Sequence, residues 1–305
     1  MAHKADHTFF DEKKSWSARK DRILGSYLRA YLPKIATQRL PILLVDGFAG
    51  AGQFKDGTLG SPLIMRNAII HSKLESQCTL IAIEADPHLF TRLESNLRTT
   101  PFANVKKGNF EHHVEEIARL ASASSTFLYL DPFTVKGLDL EQLHPVLSWV
   151  RKNRSVELLL NFNVPIFVRW GRAALERPMA TKDLEELPQS PELARLDRIV
   201  GGSWWRSIIE ATDDFAESVN GVVHGFAEQL RQYFDEVCFH PVYERTSHVA
   251  PKYVLVFASR HPQALILMND EMVKSREALV ELEAEPEAPT LFETRDERWV
   301  PDQSK

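Results

Sequence analysis

Two periods recur in the apolar and polar positions of this chain. Short apolar runs bounded by turn residues read as buried strands, and longer stretches with apolar positions three and four apart read as helices. The spacing predicts a first helix over 12–32, with Trp16, Ile23, Tyr27, Leu28, Tyr31 and Leu32 mostly on one face and Lys20, Arg22 and Arg29 off it. Pro33 should close that helix. Ile42–Asp46 reads as the first strand, and a turn-rich loop occupies 47–60. Ser61 reads as the N-cap and Pro62 as the first-turn proline of a helix reaching Lys73. Thr79–Glu84 is the second strand, after which Asp86-Pro87 starts a helix that ends near Arg98. Val105–Lys107, Thr126–Leu130 and Val156–Phe162 are the next strands, with helices over 111–121 and 139–152 between them.

Strands and helices that alternate this way make βαβ units, hence a doubly wound α/β fold with a parallel sheet and helices on both faces. The pattern loosens over 163–215, which reads as a helical insertion covering the crevice at the strand ends. A helix over 217–233 follows, then a closing strand pair, Glu236–Pro241 and Lys252–Ser259, and a last helix over 265–282. The expected organisation is an N-terminal helical segment over 1–36, a sheet domain over 37–262, a C-terminal helix over 263–282 and an acidic, mobile tail over 283–305.

Composition narrows this only slightly. With 305 residues, 44% of them hydrophobic, the chain can bury a large core. The formal charge of −5 does not call for nucleic acid and leaves room for a local basic face. Cys78 and Cys238 lie in or beside apolar runs and form no CxxC or Cys/His cluster, so buried thiols in a reducing compartment are expected, with no metal site. The polar N-terminus lacks the pattern of a signal or transit peptide, and no apolar run is long enough to span a bilayer; the expected location is cytoplasmic, with no membrane partner.

The strand ends carry the candidate chemistry. Right-handed crossovers place the carboxyl ends of all five parallel strands along one edge, bringing Asp46, Glu84, Asn109, Asp131 and Asn161 together there. Val45-Asp46-Gly47-Phe48-Ala49-Gly50-Ala51-Gly52 is a strand end followed at once by a glycine turn that a ligand can approach. A dinucleotide fingerprint would need a third glycine where Lys55 stands, a helix directly after the turn and an acid about 20 residues on. Here about ten loop residues precede Ser61, and Glu84 lies roughly 38 residues past Asp46, which moves the helix N-terminus away from any pyrophosphate. S-adenosylmethionine carries no phosphate. It needs a glycine turn, an acid for the ribose hydroxyls and a polar group for the adenine edge. Asp46, Gly47, Phe48, Gly50 and Gly52, then Glu84 and Ala85, then Asn109 and Phe110 supply these in chain order. The bland reading at each site is a turn glycine, a helix cap or a turn asparagine. The five aligned ends favour the cofactor.

At the fourth strand end, Asp131-Pro132-Phe133 has the order used by amino-group methyltransferases: an acid that accepts the amine hydrogen, a proline that offers its carbonyl, and an aromatic that stacks on the target base. One proline stands where two are usual. The alternative is that Asp131-Pro132 only ends a strand. Lys20, Ser61, Asn161 and Asn163 are the candidate substrate contacts. Arg169, Arg172 and Arg177 read as a phosphate face or as solvated surface, and Trp204 and Trp205 as base-stacking or core residues.

Together, FFDEKKSWSARKDRILGSYLRAYLP, VDGFAGAG, Gly60-Ser61-Pro62, IEAD, YLDPFTVKGL, LLLNF and VFASRHPQALILMNDEM resemble the three-Cys-motif partner proteins, TcmP, over about residues 8–275. The resemblance implies a class I methyltransferase fold, a seven-stranded Rossmann-like sheet with its last strand antiparallel, and S-adenosylmethionine as cofactor. It also implies a partner protein that carries the three-cysteine motif. The expected activity is methyl transfer to nucleic acid, on an exocyclic amine. The alternative is a methyltransferase-like binding partner with weak catalysis.

Overall fold

The computed structural model describes residues 15–132, 134–152, 155–176, 191–245, 248 and 250–284. Phe133, Arg177 and the tail from 285 therefore lie outside the described residues. The elements in chain order are α1 (Ser15–Ala36), β1 (Ile42–Asp46), α2 (Ser61–His71), β2 (Cys78–Glu84), α3 (Pro87–Leu97), β3 (Ala103–Lys107), α4 (Val114–Ala121) and β4 (Ser125–Leu130). They continue with α5 (Leu140–Arg151), β5 (Val156–Phe162), α6 (Val164–Glu176), α7 (Pro191–Val200), α8 (Trp205–Glu210), α9 (Phe215–Arg231), β6 (Glu236–Val242), β7 (Tyr253–Ser259) and α10 (Pro262–Ala284).

The described strands form one seven-stranded sheet in the order β3-β2-β1-β4-β5-β7-β6. β1 to β5 pair in parallel, and β7 runs antiparallel to both β5 and β6. This is the doubly wound class I methyltransferase-like arrangement. The strand order reverses between β1 and β4, and in open α/β sheets ligands bind at such a switch point, outside the carboxyl ends. Each residue of β1 and β4 is buried, as expected of central strands covered on both faces.

α1, α2 and α10 pack on one face over Leu44, Leu80, Phe127, Leu159 and Phe257, and α3 continues this face at the sheet edge. Tyr27 of α1 sets its ring against Phe127 at 5.7 Å and edge-on to Phe257 at 5.3 Å, which locks α1 to the middle of the sheet. α4 to α9 cover the opposite face over Val45, Leu128, Leu158, Leu160 and Val256. The 163–215 segment contributes Phe167, Trp205 and Ile209 to that core, so much of its apolar surface is spent on the sheet face.

Three local expectations are corrected. Pro33 does not close α1; the helix runs one more turn to Ala36, because buried Ile35 anchors that turn. The N-cap of α2 is Gly60, with no side-chain cap, and Ser61 is the first helical residue. Gly60 donates its N–H to the Gly52 carbonyl at 2.8 Å, which ties the helix start to the glycine turn. Lys20 does not lie off the apolar face of α1 but is buried on it. Asp86 does cap α3, accepting from His88 and Leu89 N–H groups. Cys78 and Cys238 are free thiols, Cys78 buried and Cys238 half-buried. No described helix is long and apolar enough to cross a membrane.

Candidate functional site

The turn after β1 is shaped by its glycines and pinned from β2. Gly50 and Gly52 adopt φ of 60° and 77°, a left-handed conformation that side chains resist. Glu84, ending β2, accepts from Gly50 N–H at 2.8 Å with one oxygen and from Asp86 N–H at 2.7 Å with the other. Burial raises its carboxyl above the ordinary value, and these backbone donors partly offset the effect. Gly47 leaves no room for a side chain: a Cβ there would meet Leu130 at 2.6 Å and Phe110 at 2.8 Å. Phe48 stacks on Phe110 at 6.2 Å, joining the β1 turn to the turn after β3. Ala85 and Asn109 are exposed at the same edge, and the Asn109 amide donates to Glu111.

Asp46 is the deepest acid of the site. It is fully buried, and burial pushes its carboxyl up to about 7. Its Oδ1 accepts from Phe48 N–H at 3.2 Å, while Oδ2 has no hydrogen-bond partner among the described residues. The Ser61 hydroxyl lies near enough to favour the ionised form but makes no hydrogen bond of good geometry with Oδ2.

Side chains alternate along a strand, so Asp46, Tyr129, Asp131 and Asn161 all face α1. Asp131, just past β4, accepts from Asn161 Nδ2 at 2.6 Å and pairs with the Lys20 ammonium from α1. The Lys20 ammonium also lies 5.9 Å from the ring of Tyr253, at the start of β7. Buried Asp21 sits next to Lys20 on α1. Tyr129 Oη and Asn161 Oδ1 join Asp46 Oδ2 as buried polar atoms unpartnered among the described residues. Buried polar groups are nearly always paired; of the seven orphan side-chain atoms among the described residues, these three stand on neighbouring strand ends. Asn161 Oδ1 is an obligate acceptor and Asp46 Oδ2 is one once ionised, so at those atoms the complementary group donates hydrogen bonds.

The remaining candidates fall elsewhere. Asn163 heads α6, where its Oδ1 accepts from Ile166 N–H at 3.3 Å. Pro132 packs against Gly137 beside Phe48. Arg172 donates to the Thr212 carbonyl and the Ser218 hydroxyl, and Arg169 lies over the Phe215 ring, so both brace helices. Trp205 is a core residue, donating to Asp197 at 2.9 Å. Tyr129, Tyr253 and Asp21 belong to the cluster but are absent from the sequence reading. Tyr129 was detectable, since it stands two residues before Asp131 on one strand.

No protein-family profile matches the chain. No curated protein matches it in sequence. Among solved structures, the chain is similar to protein LPL1258 of Legionella pneumophila str. Philadelphia 1, at 10% identity and a TM-score of 0.49 over 89% of this chain and 92% of that one. It is similar to human methyltransferase-like protein 13 in complex with SAH, at 12% identity and a TM-score of 0.38 over 94% and 97%. It is also similar to Aeropyrum pernix fibrillarin with natively bound S-adenosyl-L-methionine, at 10% identity and a TM-score of 0.35 over 80% and 76%. Identities of 10–12% transfer no residue role to this chain.

Proposed function

We propose that the protein is an S-adenosylmethionine-dependent methyltransferase that acts on an amine of nucleic acid. The observation that carries the cofactor reading is the buried, unpartnered Asp46 Oδ2 beside a glycine turn that Glu84 ties down, at the switch point of a doubly wound sheet. The residues present fit such a ligand. Gly50 lies on the turn that the ligand would approach, while Gly52 packs that turn against Leu63 and Leu93; ionised Asp46 Oδ2 offers an acceptor to its amino group, and Glu84 and Asn109 stand at the ends of β2 and β3 for its ribose and adenine. S-adenosylmethionine, when bound, supplies a methyl group on a positively charged sulfur. Phe48 and Phe110 give the site an apolar wall that excludes water. On the acceptor side the orphan atoms accept hydrogen bonds, which suits a group with N–H hydrogens.

Calorimetry with S-adenosylmethionine tests the cofactor step, and no detectable heat with wild-type protein removes it. Transfer of tritiated methyl to DNA or RNA tests the acceptor class; label found only on protein would redirect it.

A second reading follows from the ion pair. Asp131 already faces Lys20 and Asn161, as expected of a scaffold that binds the cofactor and serves a three-cysteine-motif protein with little turnover. A stable complex with that partner, cofactor binding and no transfer to any nucleic acid would favour it. The resemblance to TcmP proteins supports this reading, and on either one the protein works in the cytoplasm.

A further inference from the structure

We infer that Asn161, rather than Asp131, is the residue that touches the methyl-accepting group, with Asp131 and Lys20 as the pair that positions it; this rests on the methyltransferase reading above. The argument begins with how Asp131 is used. Its Oδ1 receives Asn161 Nδ2 at 2.6 Å, and its Oδ2 receives the Lys20 ammonium. Both side chains of that ion pair are largely covered, at 9% and 22% exposure, so water does not readily take Lys20's place.

The contact also orients the amide. A carboxylate oxygen only accepts, so the Asn161 atom facing it must be the NH2 group. The carbonyl oxygen then points the other way. That Oδ1 is buried and has no partner among the described residues. It lies on the α1 face of the sheet, at the end of the strand beside β4, with unpartnered Tyr129 Oη on the same face. Swapping the amide's two ends would set two acceptors against each other, so Asp131 holds the orientation in place. Lys20 in turn neutralises Asp131, which makes the surface offered to the acceptor a neutral carbonyl and a phenol. The Asn161 carbonyl only accepts, so at that atom the methyl-accepting group donates an amine N–H or a hydroxyl O–H.

Sinefungin and S-adenosylhomocysteine separate the candidates. Sinefungin carries an amine where the transferable methyl would be, so its excess affinity over S-adenosylhomocysteine reads the atom that faces this position. Wild type should prefer sinefungin by at least about tenfold by calorimetry, the effect of one charge-assisted hydrogen bond. Asn161→Leu should bring that preference within about threefold while S-adenosylhomocysteine affinity stays unchanged. The double variant Lys20→Met/Asp131→Asn removes both charges together and leaves an acceptor for the Asn161 amide; it should keep the preference within about threefold of wild type. If Asn161→Leu weakens S-adenosylhomocysteine itself, Asn161→Ala, which adds no bulk, carries the same expectation. A preference that survives at Asn161 and vanishes in the double variant overturns the assignment in favour of Asp131. No preference in wild type overturns it as well. Failure of wild type to bind S-adenosylhomocysteine at all overturns the cofactor reading first, and this assignment with it.

Discussion

Replacing Asp46 by Asn should make the protein more stable at alkaline pH and poorer at binding its cofactor. In the folded chain the Asp46 carboxyl is pushed up to about 7, chiefly by complete burial. In an unfolded chain it titrates near 3.9. The stability contributed by the neutral carboxyl is therefore full below about pH 4 and is lost as pH rises through about 7. A gap of about three pK units corresponds to about 4 kcal/mol. Asp46→Asn keeps the shape and the acceptor for Phe48 N–H but removes the titration. Its new NH2 group needs a partner, which subtracts about 1–2 kcal/mol, so a net gain of roughly 2–3 kcal/mol at pH 8 is expected. At about 2 °C per kcal/mol for a chain of this size, the melting temperature should rise by roughly 4–6 °C. Tryptophan fluorescence melts from pH 4.5 to 8 test this, with the gap closing toward the acid end. Glu157, also at about 7 through burial, leaves both proteins with a shared pH dependence. A variant less stable than wild type at pH 8, or a gap that does not change with pH, would refute the claim that a buried, proton-holding carboxyl sits at the end of β1.

Three further outcomes test separate parts of the structure. Glu84→Ala frees the Gly50 and Asp86 N–H groups and should weaken S-adenosylmethionine binding by at least about tenfold in calorimetry; unchanged affinity would mean that Glu84 serves the turn alone. Tyr27→Phe leaves Glu157 without the donor that reaches it at 2.5 Å and should cost about 1–3 kcal/mol in urea melts, whereas a loss under about 0.5 kcal/mol would show that Ser259 suffices. Gly225→Ala would place a Cβ 2.1 Å from the Trp204 ring and should destabilise the α8–α9 packing by about 1–3 kcal/mol; a neutral result would show that the indole can shift.

Much of the sheet was legible because central parallel strands are apolar throughout and end in sharp turns. The expected limits of Ile42–Asp46 and Val156–Phe162 match the observed ones, and so does the antiparallel last strand. Helix ends were harder. Pro33 looked like a stop, yet burial of Ile35 outweighs the missing hydrogen bond. Ser61 looked like a cap, but the helix start is held from outside, by the Gly60 bond to Gly52. The place of Lys20 follows from its spacing: it stands three and seven residues before Ile23 and Tyr27, on their stripe, and is buried there. A lysine on an apolar stripe signals a buried counter-ion, and Asp131 supplies it. The pairing itself was out of reach, since α1 and β4 are separated by most of the first half of the chain. Only the folded arrangement shows that Asp131 is already engaged.

Two buried carboxyls on one face of the sheet differ in how their oxygens are satisfied. Glu157 and Asp46 are both buried carboxyls on the α1 face, and burial pushes both up to about 7. Glu157, in the middle of the face, is hydrogen-bonded on both oxygens by Tyr27 and Ser259. Asp46, at the carboxyl edge, keeps one oxygen without a partner among the described residues, and so do Tyr129 and Asn161 beside it. The same helix covers both regions, so the difference is not one of crowding or depth. A fold shaped for stability completes most of its buried hydrogen bonds, as it does at both oxygens of Glu157. Three of the buried orphan atoms gather at one edge, above the switch point, where a bound ligand would complete them; Tyr31 Oη, Thr126 Oγ1, Ser72 Oγ and Arg19 Nε are orphans outside that trio. Asp46→Asn removes both the buried titration and the acceptor at Oδ2, so it is expected to gain stability at pH 8 and to lose affinity for S-adenosylmethionine.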